Sequence, residues 1–62
     1  MNGIFTIKLM VPTPNGSFSL VTVYTERDIP ESEAREAFAR WEQQNPSLAG
    51  NARGEWTTRV IL

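Results

Sequence analysis

The sequence predicts a single α+β domain in which a three-stranded antiparallel sheet, in the order 2-1-3, carries one helix on one face. Three observations lead to this prediction. Two alternating, β-branched segments flank a turn, an amphipathic segment follows them, and a third alternating segment closes the chain. The strand, strand, helix, strand order uses residues 1–62, and a chain of 62 residues has room for one domain.

The first two strands are expected to form a hairpin. The segments GIFTIKLMVP (3–12) and FSLVTVYT (18–25) both alternate in polarity and are rich in residues that favour strands. Between them, Pro14 suits the second position of a type I turn, and Gly16 suits the left-handed residue that closes a three-residue loop. The turn therefore predicts a tight connection and a defined register.

That register places Leu9 opposite Val21 and Ile7 opposite Val23, and it continues to Phe5 opposite Thr25. The apolar residues of both strands then share one face of the sheet. We expect that face to form the core under the helix.

A helix is predicted within ERDIPESEAREAFARWEQQNP (26–46). Asp28 is interpreted as its cap, and Pro30 suits the first turn. The helix is expected to end before Pro46, because the residue that precedes a proline avoids helical angles. Its apolar stripe has the spacing i, i+3, i+4, i+7 and consists of Ala34, Ala37, Phe38 and Trp41.

The third strand is predicted in EWTTRVIL (55–62), after a loop SLAGNARG (47–54). A helical crossover makes this strand parallel to the second, so it can lie antiparallel beside the first. Trp41 is expected in the core, and Trp56 is expected to face the same core with Val60. A position of Trp56 near the rim of the sheet stays open, because one short helix cannot cover the sheet to its ends.

The face away from the helix is expected to be unusually apolar for a monomer. Met10, Leu20 and Tyr24 should be neighbours there, with Arg59 and Ile61 on the third strand. Large exposed apolar patches mark association sites, and unpaired strand edges can bind another chain. These residues are therefore predicted to bind a partner protein or a second copy in a homodimer, unless long side chains and loops shield them. The full predicted set on this face is Ile4, Thr6, Lys8, Met10, Phe18, Leu20, Thr22, Tyr24, Thr57, Arg59 and Ile61.

The composition argues against catalysis. The chain has no Cys and no His, so thiolate chemistry, disulfides and the commonest general base are excluded. The paired acids at Glu31 and Glu33 fit the positive end of a helix, and nothing apolar surrounds them to raise a pKa. No metal site, cofactor or enzymatic activity is predicted.

The charges are unevenly distributed along a chain whose net charge is −1. An acidic segment supplies Asp28, Glu31 and Glu33, which are predicted to meet a basic surface of a partner, although helix capping explains them equally well. Nucleic acid is a less favoured partner, because phosphate binding needs clustered basic residues. The alternative is a sheet-face binder of single strands that uses Phe18 and Tyr24 with Lys8 and Arg59.

No apolar run approaches the roughly 20 residues of a membrane span, and the start MNGIFTIKLM lacks the basic region of a signal peptide. No membrane partner is therefore expected, and the predicted location is the cytoplasm.

The pattern resembles that of small phage-encoded inhibitor proteins with the order strand, strand, helix, strand, a family that includes inhibitors of host RNA polymerase. The resemblance covers residues 18–60 and depends on Tyr24-Thr25-Glu26, Glu33-Ala34, Trp41, Gly54-Glu55 and Thr58-Arg59-Val60. It implies a non-enzymatic inhibitor of a host protein or defence system, acting in the host cytoplasm. In that family an acidic strip and an arginine pair on the last strand contact the polymerase. Arg59 matches the first arginine and Ile61 stands at the second, so the resemblance implies an inhibitor and leaves its target open.

Overall fold

The structure, a computed structural model, describes residues 1–58 and has the predicted ββαβ architecture. The sheet is antiparallel, with strand order β2-β1-β3, so the α+β prediction is confirmed. The elements are β1 (Asn2–Pro12), β2 (Phe18–Pro30), α1 (Glu31–Gln44), a short 3-10 helix (Ala49–Asn51) and β3 (Ala52–Thr58).

Two strand boundaries differ from the prediction. β2 continues to Pro30 rather than ending near Thr25. β3 already begins at Ala52, where it pairs with Leu9, so the predicted loop 47–54 is shorter and contains the 3-10 helix. The last four positions of the predicted third strand, 59–62, lie outside the described residues.

The hairpin turn is the predicted one. The Thr13 amide donates to the Ser17 carbonyl at 2.8 Å, and the Gly16 amide donates to the Thr13 carbonyl at 3.1 Å. Gly16 has φ 83°, the left-handed conformation that this loop requires and that glycine adopts without steric cost. The Ser17 amide also donates to the side-chain oxygens of Thr13 and Asn15 at 3.2 and 3.3 Å.

Two irregularities in β2 change the register away from the turn. Leu9 lies opposite Val21 as predicted, but the register then shifts, so Ile7 lies opposite Tyr24 and Val23 is an extra residue. The predicted pairs of Ile7 with Val23 and of Phe5 with Thr25 are therefore wrong. A one-residue shift moves side chains to the other face of the sheet.

The second irregularity lies between the Gly3 and Ile4 pairs and leaves Asp28 as the extra residue, with φ 62°. Asn2 stabilises this conformation, because its Nδ2 lies 3.3 Å from the Asp28 carbonyl oxygen and 3.3 Å from Oδ1. The predicted role of Asp28 as the helix cap is wrong. Pro30 occupies that position and makes no side-chain capping bond.

The core lies between the helix and the middle of the sheet. Among the described residues, the buried apolar side chains are Phe5, Ile7, Ile29, Ala34 and Ala37, and the half-buried Phe38, Trp41, Ala52 and Trp56 pack against them. Both tryptophans therefore face the core as predicted. Trp56 is further fixed by its Nε1, which donates to the Ile29 carbonyl at 2.9 Å.

The helix ends at the predicted place. Asn45 is its C-cap, and both the amide and the Nδ2 of Asn45 donate to the Trp41 carbonyl at 2.9 Å. These bonds satisfy a carbonyl that the helix leaves without an intrahelical partner.

The close approach of β3 to Gly3 leads to the first prediction. A Cβ at Gly3 would collide with the Thr57 carbonyl and lie 2.9 Å from Trp56 Cε2, whereas a Cβ at Gly50 would meet nothing within 4 Å. Gly3→Ala should lower the free energy of unfolding by about 2 kcal/mol, the usual cost of inserting an atom into a packed site. Gly50→Ala is the control and should change it little. Urea denaturation measures both, and equal midpoints for the two variants would contradict the packing at Gly3.

Candidate functional site

The face of the sheet away from the helix, here called the outer face, divides into a polar half and an apolar half. In β1 and β2 it contains the directly opposed pairs Ile4–Arg27, Thr6–Thr25, Lys8–Thr22 and Met10–Leu20, and in β3 it contains Arg53, Glu55 and Thr57. Threonines and charged residues dominate near the start of β1. The apolar half lies at the end of the sheet that carries the hairpin turn.

The apolar half forms a groove of about 280 Å³, here called the outer groove. Met10, Phe18 and Leu20 line one side, and their relative exposures are 44%, 64% and 52%. Residues 50–53 form the opposite wall. Three large apolar side chains held at this exposure cost solvation free energy, and a partner that covers them would recover about 25 cal/mol per Å² of apolar surface.

Local structure explains why these residues meet. The tight turn aligns the strands so that Met10 lies directly opposite Leu20. Phe18 lies on the same face, because side chains two positions apart in a strand point the same way. The 3-10 helix ends directly before Ala52, which pairs with Leu9. This pairing places residues 50–53 beside β1.

Basic side chains border the outer groove. Lys8 and Arg53 are directly opposite each other on β1 and β3, on the outer face, and Arg53 also lines the groove. Arg53 Nε lies 3.7 Å from Glu55 Oε1, and 71% of the Arg53 side chain is exposed, so this ion pair is weak and the guanidinium can exchange it for another carboxylate.

Tyr24 does not belong to this face, which corrects the prediction. It lies opposite the fully buried Ile7 on the helix side, and its ring lies edge-on to Phe5 with centroids 6.1 Å apart. The extra residue at Val23 is the reason, because it inverts the facing of the residues that follow it. Met10 and Leu20 precede the bulge and lie together on the outer face as predicted.

The Tyr24 hydroxyl donates to Glu26 Oε1 at 2.5 Å. This bond requires the protonated phenol, so it raises the pKa of Tyr24 above its usual value, and partial burial and the negative charge of Glu26 raise it further. Both side chains lie on the helix side of β2, two positions apart on the same strand.

Two of the three acidic residues predicted to contact a partner line separate clefts. Asp28 lies with Ile4 and Arg27 at one cleft, whereas Glu31 lines another cleft between the helix and β3. Glu31 and Glu33 are both exposed in the first turn of α1, and Glu31 Oε2 lies 3.8 Å from Arg35. Their stabilising interaction with the helix dipole is ordinary, and their role in binding stays a prediction.

Two of the predicted partner-binding residues, Arg59 and Ile61, lie outside the described residues. Sequence reasoning missed Arg53 and the wall formed by residues 50–53, which were assigned to a loop. The alternation of polarity that begins at Ala52 indicates the start of β3. Gly50 and Gly54 obscure this alternation in the sequence.

Other kinds of site receive no support within residues 1–58. No group of three or more acidic side chains there is placed to hold a metal ion. In the same part of the chain, no helix is long and apolar enough to cross a membrane.

Comparison of the chain with protein-family models, with curated proteins and with solved structures found no match.

The bond between Tyr24 and Glu26 leads to a pH-dependent prediction. Tyr24 is the single tyrosine of the chain, so ultraviolet absorbance of tyrosinate reports its titration alone. The midpoint should lie above the ordinary value of about 10, and Glu26→Gln should lower it. Because the folded-state pKa lies above the unfolded one, the stability from this bond is fully present below about pH 10 and is lost as the pH rises through the folded-state pKa.

Glu55→Gln is the matched control for this titration. It neutralises a carboxylate on the outer face, and it should leave the Tyr24 midpoint unchanged. A midpoint that responds equally to both substitutions would contradict the placement of Tyr24 on the helix side.

Proposed function

We propose that this chain is a non-enzymatic protein-binding module, of the kind that phages and other mobile elements use to inhibit a host protein or defence system in the host cytoplasm. The outer groove is the observation that carries the proposal. Met10, Phe18 and Leu20 are exposed large apolar side chains on one face of the sheet, beside a basic border. Inhibition then follows from occupying a surface of the target, and it requires no catalytic group.

The borders of the groove support a protein ligand over a small molecule. Its volume of about 280 Å³ lies at the lower limit of the roughly 300–1,000 Å³ that is typical of small-molecule pockets. Exposed apolar side chains bordered by charges are characteristic of the centre and rim of a protein interface. The resemblance to small phage inhibitors points in the same direction and supplies the inhibitory role.

A second candidate function is binding of single-stranded nucleic acid on the outer face. It is favoured by Phe18, which is 64% exposed and lines the same groove as the basic Arg53. Base stacking on such aromatic residues is common in single-strand binders. The candidate is the weaker one, because Tyr24 lies on the opposite face and the chain has a net charge of −1.

The groove can be tested with charge substitutions. Immobilised wild type should retain a protein from nuclease-treated bacterial lysate, and Met10→Glu or Leu20→Glu should reduce that retention at least tenfold, or about 1.4 kcal/mol, because a carboxylate cannot be buried in an apolar contact. Thr25→Glu adds the same charge on the polar half of the same face, and it should leave retention unchanged.

Two results would contradict the protein-binding proposal. One is retention that the groove variants and Thr25→Glu reduce to the same extent. The other is recovery of nucleic acid alone from lysate that has not been treated with nuclease, competed by salt and reproduced in gel shifts with short single-stranded oligonucleotides.

The acidic helix start is a second surface, and its test uses a target that the groove has captured. Glu31→Lys with Glu33→Lys should weaken binding and reduce its salt dependence, because both carboxylates are exposed and would face a basic target surface. Glu36→Lys with Glu42→Lys makes the same change of charge later in the helix and is the control. Unchanged affinity and salt dependence in the first variant would remove the acidic residues from the binding surface.

A further inference from the structure

We propose that two copies of this chain associate through the free edge of β2, antiparallel and centred on Leu20, so that their two three-stranded sheets become one continuous sheet. The pairing is inferred from the backbone geometry of β2. The consequence of the pairing for target binding rests on the proposed function.

Within residues 1–58, the backbone of β2 has one edge toward β1 and one edge without a neighbouring strand, because the strand order is β2-β1-β3. Thr13 and Ser17 are hydrogen-bonded through their backbones, and bonded and non-bonded pairs alternate along an antiparallel ladder. Ser19 and Val21, opposite Val11 and Leu9, are therefore the residues that bond to β1.

It follows that Phe18, Leu20 and Thr22 direct their N–H and C=O groups away from β1. Pro12, the partner of Phe18, agrees with this assignment, since a residue without an N–H suits a non-bonded pair. Each of these three residues therefore presents one N–H donor and one C=O acceptor at the free edge of β2, in the regular part of the strand before the bulge at Val23.

The part of this edge that precedes the bulge at Val23 lacks the features that usually prevent edge-to-edge pairing. Residues 18–25 contain no charged residue and no proline, and all of them are exposed. β3 differs, because Arg53 and Glu55 place charges on its outer face. A long, uncharged edge strand is the site at which another strand adds to a sheet.

Only a symmetric register centred on Leu20 pairs Phe18, Leu20 and Thr22 without involving the turn or the bulge. With a two-fold axis at Leu20, the two Leu20 residues exchange backbone bonds with each other, and Phe18 of each copy exchanges them with Thr22 of the other. Every free N–H and C=O of the segment is then paired. A register centred on Val21 would instead bring the bulged Val23 into the ladder, which bulges disrupt.

Charge also favours a second copy in this register. The first charged residues after the segment, Glu26 and Arg27, extend past the partner's turn and so face no like charge of the partner. Directly opposed side chains are apolar or hydroxyl-bearing on both faces, which are stabilising cross-strand combinations.

The pairing brings the two outer grooves together. A two-fold axis of an antiparallel strand pair is perpendicular to the sheet, so both outer faces lie on the same side. Leu20 of one copy then adjoins Leu20 of the other, and the two grooves form one longer apolar surface. The backbone supplies the pairing, so this surface stays open to the target.

Amide hydrogen exchange on the purified protein is the test, combined with sedimentation to follow the mass from 7.0 kDa toward twice that value as concentration rises. The amides of Phe18, Leu20 and Thr22 should exchange slowly at high concentration and at least tenfold faster at low concentration. Ser19 and Val21, which bond to β1, are internal controls whose exchange should not follow self-association.

Charge pairing at position 20 tests the symmetry. Leu20→Lys and Leu20→Glu should each weaken self-association at least tenfold, because like charges would lie directly opposite each other. An equimolar mixture of the two should restore it as a heterodimer. Thr25→Lys and Thr25→Glu lie outside the paired segment and should each associate as the wild type does, and circular dichroism checks that every variant is folded.

A mass of 7.0 kDa at every concentration would overturn the proposal, and so would a dimer in which the amides of Phe18, Leu20 and Thr22 still exchange rapidly. Failure of the mixture to restore association would overturn the Leu20 axis. None of these measurements involves a target, so their outcomes do not test the proposal that the outer groove binds one. Loss of target capture in Met10→Glu with self-association intact concerns the groove alone, because Met10 lies on β1.

Discussion

One extra residue in β2 determines which surface this protein presents. Before Val23 the strands follow the register that the turn imposes, and Met10, Phe18 and Leu20 face away from the helix. After Val23 the facing is inverted, so Tyr24 and Glu26 lie on the helix side, where they meet Phe5. The bulge thus separates an apolar half of the outer face from a polar half, because it brings Thr25 and Arg27 outward.

Much of the fold was predictable because local chemistry and tertiary structure agree. The Pro14–Gly16 turn, the stripe of Ala34, Ala37, Phe38 and Trp41, and the end of the helix at Asn45 all have local causes, and the structure has them where the sequence places them. The bulges have no such signal. Val23 is a β-branched residue in an alternating run, and Asp28 adopts φ 62° where glycine would be expected. The face of Tyr24 could not be predicted for this reason, and the groove wall at residues 50–53 was missed because two glycines hide the start of β3.

The groove and the free edge have a common origin in the size of the chain. The Cα atoms span 40 × 32 × 11 Å, so the molecule is a thin sheet with one helix on it. The core is centred on Phe5 and Ile7, and the hairpin end remains apolar on both faces, with Val21 and Val23 45% and 43% exposed on β2. Small domains of this kind gain stability from association, since a single small core rarely supplies more than about 3–5 kcal/mol. A second copy on the edge would cover backbone groups of the hairpin. A target on the outer groove would cover side chains of the same hairpin.

The account depends most on the opposite facing of Tyr24 and Leu20, and nuclear Overhauser contacts in solution measure it directly. The Tyr24 ring protons should give contacts to the rings of Phe5 and to no methyl group of Met10 or Leu20, while the methyl groups of Met10 and Leu20 should give contacts to each other. Contacts between the Tyr24 ring and the methyl groups of Met10 or Leu20 would show that β2 runs without the bulge. The outer face would then be the one that simple alternation predicts, with Tyr24 beside Leu20, and its division into an apolar half and a polar half would be lost.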